Sequence, residues 1–168
     1  MRALLIDAQG AGVDGRAFVE WIPAGLRAVA GILEARGIEY DIIFVERFLE
    51  DPGVLKGYDV VMATGMSSDF EMIRAAGRRV KEAGRPFLVG GPVTFDPEAV
   101  VREAGADIAV IGEGERSFAF LLDAGLKDGV LPDTGVLREV DGIAYPGGEG
   151  VVARMPAGYL SKEELERF

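Results

Sequence analysis

Short, unbroken apolar runs alternate with amphipathic stretches along this chain, and that alternation restricts the fold more than any other feature. The runs fall at residues 2–7, 39–45, 58–63, 86–89 and 107–111, with lengths that suit strands rather than helices. Strands that are apolar at every position, rather than at every second one, need cover on both faces. The stretches between them supply it. Pro23 suits the first turn of a helix over 23–36, with Ile22, Leu26, Val29, Ala30 and Leu33 on one face and Gly37 at its end. Asp69 suits the cap of a helix that turns Phe70, Ile73 and Val80 inward and stops at Gly84. Asp96-Pro97-Glu98 opens a helix that stops at Gly105, and a further one carries Phe118, Leu121 and Leu122. Residues 8–21 read as an irregular loop, with a helical turn around Phe18. The order predicts an α/β fold with a doubly wound parallel sheet of five strands.

After about residue 130 the texture changes. Residues 1–130 form one unit in this reading, and 131–168 a hairpin and linker. The hairpin pairs 135–145 with 151–154 around Pro146-Gly147-Gly148-Glu149-Gly150. Ser161-Lys162-Glu163-Glu164 is a capping box for a helix cut off at Phe168, so the natural chain is expected to continue.

Composition excludes several functions. With no cysteine and no histidine, this chain offers no thiolate nucleophile, no iron–sulfur ligand and no imidazole base or metal ligand. A net charge of −10 argues against a nucleic-acid partner. No apolar run approaches the ~18 residues of a membrane span, and Met1 to Asp7 is too short and too quickly acidic for a signal peptide, so a cytoplasmic location is expected.

Ligands of such sheets bind outside the carboxyl ends of the strands. That rule selects Ala8 to Gly15, Thr64 to Ser68, Gly90 to Thr94 and Gly112 to Arg116. All are rich in small residues, which lets a ligand approach backbone. Gly10-Ala11-Gly12-Val13-Asp14-Gly15 matches the dinucleotide pattern G-x-G-x-x-G. Its context does not: Asp7-Ala8-Gln9 separate it from the strand, Pro23 interrupts the helix it should open, and Glu46 lies beyond the expected acidic position. Gly112-Glu113-Gly114-Glu115 lacks the lysine of a phosphate loop. Phe18, Trp21 and Phe95 read as packing residues, although an aromatic near the site suits a flat macrocycle.

One ordered set of motifs resembles a known family. Tyr58-Asp59-Val60-Val61 is followed by Thr64-Gly65-Met66-Ser67-Ser68, Gly90-Gly91-Pro92, Gly105-Ala106-Asp107 and Gly112-Glu113-Gly114-Glu115. Pro23-Ala24-Gly25-Leu26 precedes them, and Gly142-Ile143-Ala144-Tyr145 follows. Over about residues 2 to 155 the chain resembles the cobalamin-binding domain that precedes the catalytic barrel of cobalamin-dependent radical SAM enzymes. The resemblance implies a flavodoxin-like sheet of order 2-1-3-4-5 with a small C-terminal β-hairpin extension. It implies cobalamin at the carboxyl edge, touching Gln9, Thr64, Gly65, Met66, Ser67, Ser68, Gly90, Gly91, Pro92, Gly112, Glu113 and Gly114. The nucleotide tail is expected near Thr64, Gly65, Ser67, Gly90 and Gly91, where a Gly91 side chain would block the tail yet leave the fold intact. S-adenosylmethionine and a 4Fe–4S cluster would belong to a following catalytic domain, and this chain would hold no catalytic residue and no metal ligand of its own. Relatives that ligate cobalt carry Asp-x-His-x-x-Gly after the first strand; here Asp7-Ala8-Gln9-Gly10 stands there, and Val93 replaces the histidine of a common "GGPH". The full-length activity expected is methyl transfer or radical rearrangement. Two other readings remain open: a cofactor-free docking domain, and a nucleotide- or flavin-binding domain using the Gly10 to Gly15 loop.

Overall fold

The structure is a computed structural model that describes residues 1–9, 22–51, 53–158, 161 and 163. The Gly10 to Gly15 loop, Phe18, Trp21 and most of the Ser161 capping box lie outside the described residues. Five parallel strands form the sheet: β1 (Arg2–Asp7), β2 (Glu39–Phe44), β3 (Val60–Thr64), β4 (Phe87–Gly90) and β5 (Ile108–Val110). The sheet does not stop there. β6 (Ile143–Gly147) and β7 (Gly150–Arg154) add antiparallel strands at the β5 edge, giving seven in the order β2-β1-β3-β4-β5-β6-β7. The expected order 2-1-3-4-5 holds for the parallel part, but the hairpin continues the sheet instead of standing beside it. Ala109 pairs with Ala144 and Val110 with Ile143, and the Ser117 hydroxyl donates to Asp141 O at 2.7 Å.

Helices cover both faces. α1 (Ala24–Glu34) and α5 (Glu115–Asp123) pack Leu26, Ala30, Leu33, Phe118 and Leu122 against Ala3, Leu5, Met62, Leu88 and Val110. On the other face lie α2 (Val45–Glu50), α3 (Phe70–Glu82) and α4 (Pro97–Arg102), over Leu4, Ile6, Val61, Val89 and Ala109. In β1, β3, β4 and β5 successive residues thus enter different cores, which is why those runs are mostly apolar, whereas β2 at the sheet edge is partly buried and carries Asp41.

Three local expectations are corrected. Val45 opens α2 rather than ending the second strand, because Val45 and Phe48 bury themselves in the α3 face. Ile22 is exposed and takes no part in the α1 stripe. The first hairpin strand begins at Ile143; within 135–145 the chain first makes α6 (Thr134–Leu137), capped by Asp133, whose side chain accepts from Val136 N. The Asp96 cap is present, accepting from Ala99 N at 3.0 Å.

α3 and the turn that follows α4 approach closely beside β4. A Cβ on Gly77 would overlap the Ala104 carbonyl oxygen, which is backbone and has no way to swing aside. Gly77→Ala is expected to lower stability by about 1–3 kcal/mol, read as a fall in melting temperature. At the amino edge of the sheet, burial pushes the Asp107 carboxyl up, against the opposing pull of the Phe87 N–H, which it accepts at 2.8 Å, and of Lys81. A raised acid favours its protonated form in the folded state, so its cost grows as pH rises through the folded pKa and vanishes below the unfolded one. Asp107→Asn keeps an acceptor for Phe87. It is expected to raise stability at pH 7 relative to wild type and to lose that advantage in denaturation curves below about pH 4.

Candidate ligand cavity at the carboxyl edge

Strand register brings the candidate residues into a row. Asp7 lies opposite Thr64, and Thr64 opposite Gly90. Beside that row a cavity of about 320 Å³ opens between α1 and the start of α5. Met62, Thr64, Leu88, Gly90 and Val110 belong to its sheet side. Ala24, Gly25, Ala28 and Val29 of α1 form one wall, and Gly114, Glu115 and Phe118 another. Side chains fill the space between helices and sheet lower down, where Leu33, Leu121 and Leu122 are fully buried. Toward the carboxyl edge they shrink to Thr, Ala and Gly, and the space stays open.

The two glycines at the end of β4 do different work. A Cβ on Gly90 would have Val110 O, at 3.9 Å, as its nearest neighbour, so the missing side chain is part of the cavity. Gly91 has φ +84°, and a Cβ there would collide with Thr64 Oγ1 and come within 3.3 Å of Gly65 O. The fold itself therefore requires glycine at 91, correcting the expectation that a side chain there leaves the fold intact. The loop beyond is stitched down: Val93 N donates to Gly65 O at 3.0 Å. The buried Thr94 hydroxyl lies 2.8 Å from Gly91 O and 3.1 Å from Val110 O.

Of the candidate residues, Thr64, Gly90, Gly91, Gly112, Glu113 and Gly114 line the cavity. Gly65 faces α3 instead, where a Cβ would lie 2.9 Å from Ile73 Cδ1. Met66, Ser67, Ser68 and Pro92 are exposed on the neighbouring loops, with Ser67 Oγ 3.5 Å from Pro92 O. Gln9 follows β1, its N–H donating to Asp7 Oδ1 at 2.9 Å, outside the cavity lining. Asp69 holds the expected N-cap position of α3, but its buried carboxylate makes no cap hydrogen bond there; it turns back to accept from Met66 N at 2.7 Å and closes the loop after β3. Phe95 is no packing residue: at 93% exposure it stands out beyond the end of β4.

Sequence reasoning missed the α1 wall, although Ala24, Gly25 and Ala28 sit at helical spacing on one face, a visible signal. Glu115 fell within the selected Gly112 to Arg116 loop but was not among the residues expected to touch the ligand. This residue opens α5 and lines the cavity, and its Oε2 is buried with no hydrogen-bond partner. Such an orphaned oxygen costs about 1–3 kcal/mol or more. Among the described residues, no Lys or Arg lines the cavity, whereas Glu113 and Glu115 do. Gly90→Val should leave the melting temperature within a degree or two of wild type while shrinking the cavity. Gly91→Ala should lower stability by about 1–3 kcal/mol, checked by the same thermal denaturation.

The model of a family described as B12 binding domain matches residues 11–122. A relative from Methanocaldococcus jannaschii, the uncharacterized protein MJ1620, is 36% identical over 118 residues, covering 68% of this chain and 23% of that protein. The chain thus spans about a quarter of that relative's length. Among solved structures, a de novo designed Rossmann 2x3 fold protein, determined by NMR in solution, superposes with a TM-score of 0.52 at 12% identity, over 79% of this chain and 94% of the design. At that identity the likeness concerns the fold alone.

Proposed function

This chain belongs to the B12-binding domain family, and from that premise we propose that it is the cobalamin-holding module of a larger radical SAM enzyme. The family match supports cobalamin binding. The observation that carries the site is the open cavity beside Gly90, at the sheet edge where such folds receive ligands. Its size and apolar walls suit the base and sugar of the nucleotide tail. Thr64, Gly90, Gly91 and Gly114 would hold that tail, with Ala24, Gly25 and Ala28 allowing it to lie against α1. Met66 and the fully projecting Phe95 offer apolar contact to the corrin ring. When bound, cobalamin supplies a cobalt–carbon bond for methyl transfer or for carbon-skeleton rearrangement. With no His or Cys anywhere in the sequence, this chain gives cobalt neither imidazole nor thiolate.

The remainder of the reading rests on the motif resemblance. The Gly142-Ile143-Ala144-Tyr145 strand would lead toward a catalytic domain that binds S-adenosylmethionine and a 4Fe–4S cluster. Among the described residues no helix is long and apolar enough to cross a membrane, which accords with a cytoplasmic enzyme.

Titration with hydroxocobalamin followed by desalting should leave close to one cobalamin per chain, read from the visible spectrum. Gly90→Leu should weaken that binding at least tenfold at an unchanged melting temperature, because it fills the cavity without straining the strand. A colourless wild-type protein after desalting would set the proposal aside in favour of a cofactor-free docking domain.

A further inference from the structure

We infer that Glu115 is a specificity-determining residue that accepts a hydrogen bond from a hydroxyl of the ligand's nucleotide sugar, an inference that rests on the cobalamin reading above. Glu115 lines the cavity, and its Oε2 is shut off from solvent without a donor, although the rest of the residue is only partly buried. A carboxylate oxygen in that position has given up water and gained nothing within this chain. Its place in the first turn of α5 favours a negative charge but supplies no donor to Oε2. The missing partner must therefore come with whatever fills the cavity.

The lining narrows what that partner is. A phosphate brings only acceptors and negative charge, and would meet Glu113 and Glu115 with no Lys or Arg among the described lining residues. An apolar group would leave Oε2 unpaired. A neutral hydroxyl satisfies it, and the bond is charge-assisted, hence short and directional. In cobalamin the nucleotide sugar carries such hydroxyls. The corrin carries amide N–H donors instead, which persist in cobinamide, the same macrocycle without its nucleotide. The two sources are thereby separable.

The experiment measures dissociation constants of hydroxocobalamin and of cobinamide for wild type, Glu115→Gln and Glu115→Leu, with the melting temperature of each ligand-free protein. Expected are at least tenfold weaker hydroxocobalamin binding by Glu115→Leu, a smaller loss for Glu115→Gln, and cobinamide affinities that stay within twofold of wild type. The ligand-free Glu115→Leu protein should melt no lower than wild type, since the orphaned oxygen is gone. Unchanged hydroxocobalamin binding overturns the inference and leaves the cobalamin proposal standing. Equal losses for both ligands also overturn it, by assigning the donor to the corrin amides. A wild-type protein that retains neither ligand overturns the inference together with the proposal beneath it.

Discussion

Everything in this molecule follows from a parallel sheet buried on both faces. Leu4 and Ile6 enter one core while Ala3 and Leu5 enter the other. The inner strands leave little room for polar chemistry, so polar groups gather at the strand ends and on the partly buried edge strand β2, where Asp41 accepts from Arg2 and Tyr58. At the amino edge Asp107 is held against Phe87 N. At the carboxyl edge the strands end in Asp7, Thr64 and Gly90, aligned by register, and the side chains there are short. The sheet and its helices keep their normal separation while the filling runs out. An open cavity is the result, produced by the same packing that stabilises the core below it.

The described loops after β3 and β4 are tied to one another and to β5 by hydrogen bonds. Gly91 turns tightly past Thr64, Val93 returns to Gly65, and Thr94 joins the β4 loop to the end of β5. Asp69 closes the β3 loop on its own backbone. A preformed site loses little conformational freedom when it is filled. Among the described residues three buried side-chain atoms lack a partner, and of these only Glu115 Oε2 belongs to a residue that lines the cavity. Unpaired groups of this kind are expected where a protein is built to meet something else.

Much of this was legible in the residues. The apolar runs marked all five parallel strands, and the small residues after them marked the edge where the cavity lies. Gly90 stood among them, and its missing side chain is part of the cavity. The fold's own need for glycine at 91 was not legible, because the collision with Thr64 arises between strands distant in sequence. The α1 wall went unread since Ala24, Gly25 and Ala28 look like ordinary helix formers until a sheet is placed beneath them. Asp69 was read as a cap on local grammar, yet the turn geometry offered its carboxylate the nearer Met66 N–H. The hairpin was seen as a hairpin, but its pairing with β5 depends on a free sheet edge that no local pattern reveals.

By itself, then, the sequence determined the periodicities: which stretches are strands, that both sheet faces are covered, and that no histidine or cysteine of this chain takes part in its chemistry. These are properties of composition and of neighbours along the chain. Only the tertiary structure decided which glycine leaves room and which avoids a clash, which helix walls the cavity, and that the Glu115 oxygen is buried without a partner. Such facts are distances between segments far apart in sequence. They exist only once the long-range contacts have formed, because burial and hydrogen-bond satisfaction are properties of the packed whole.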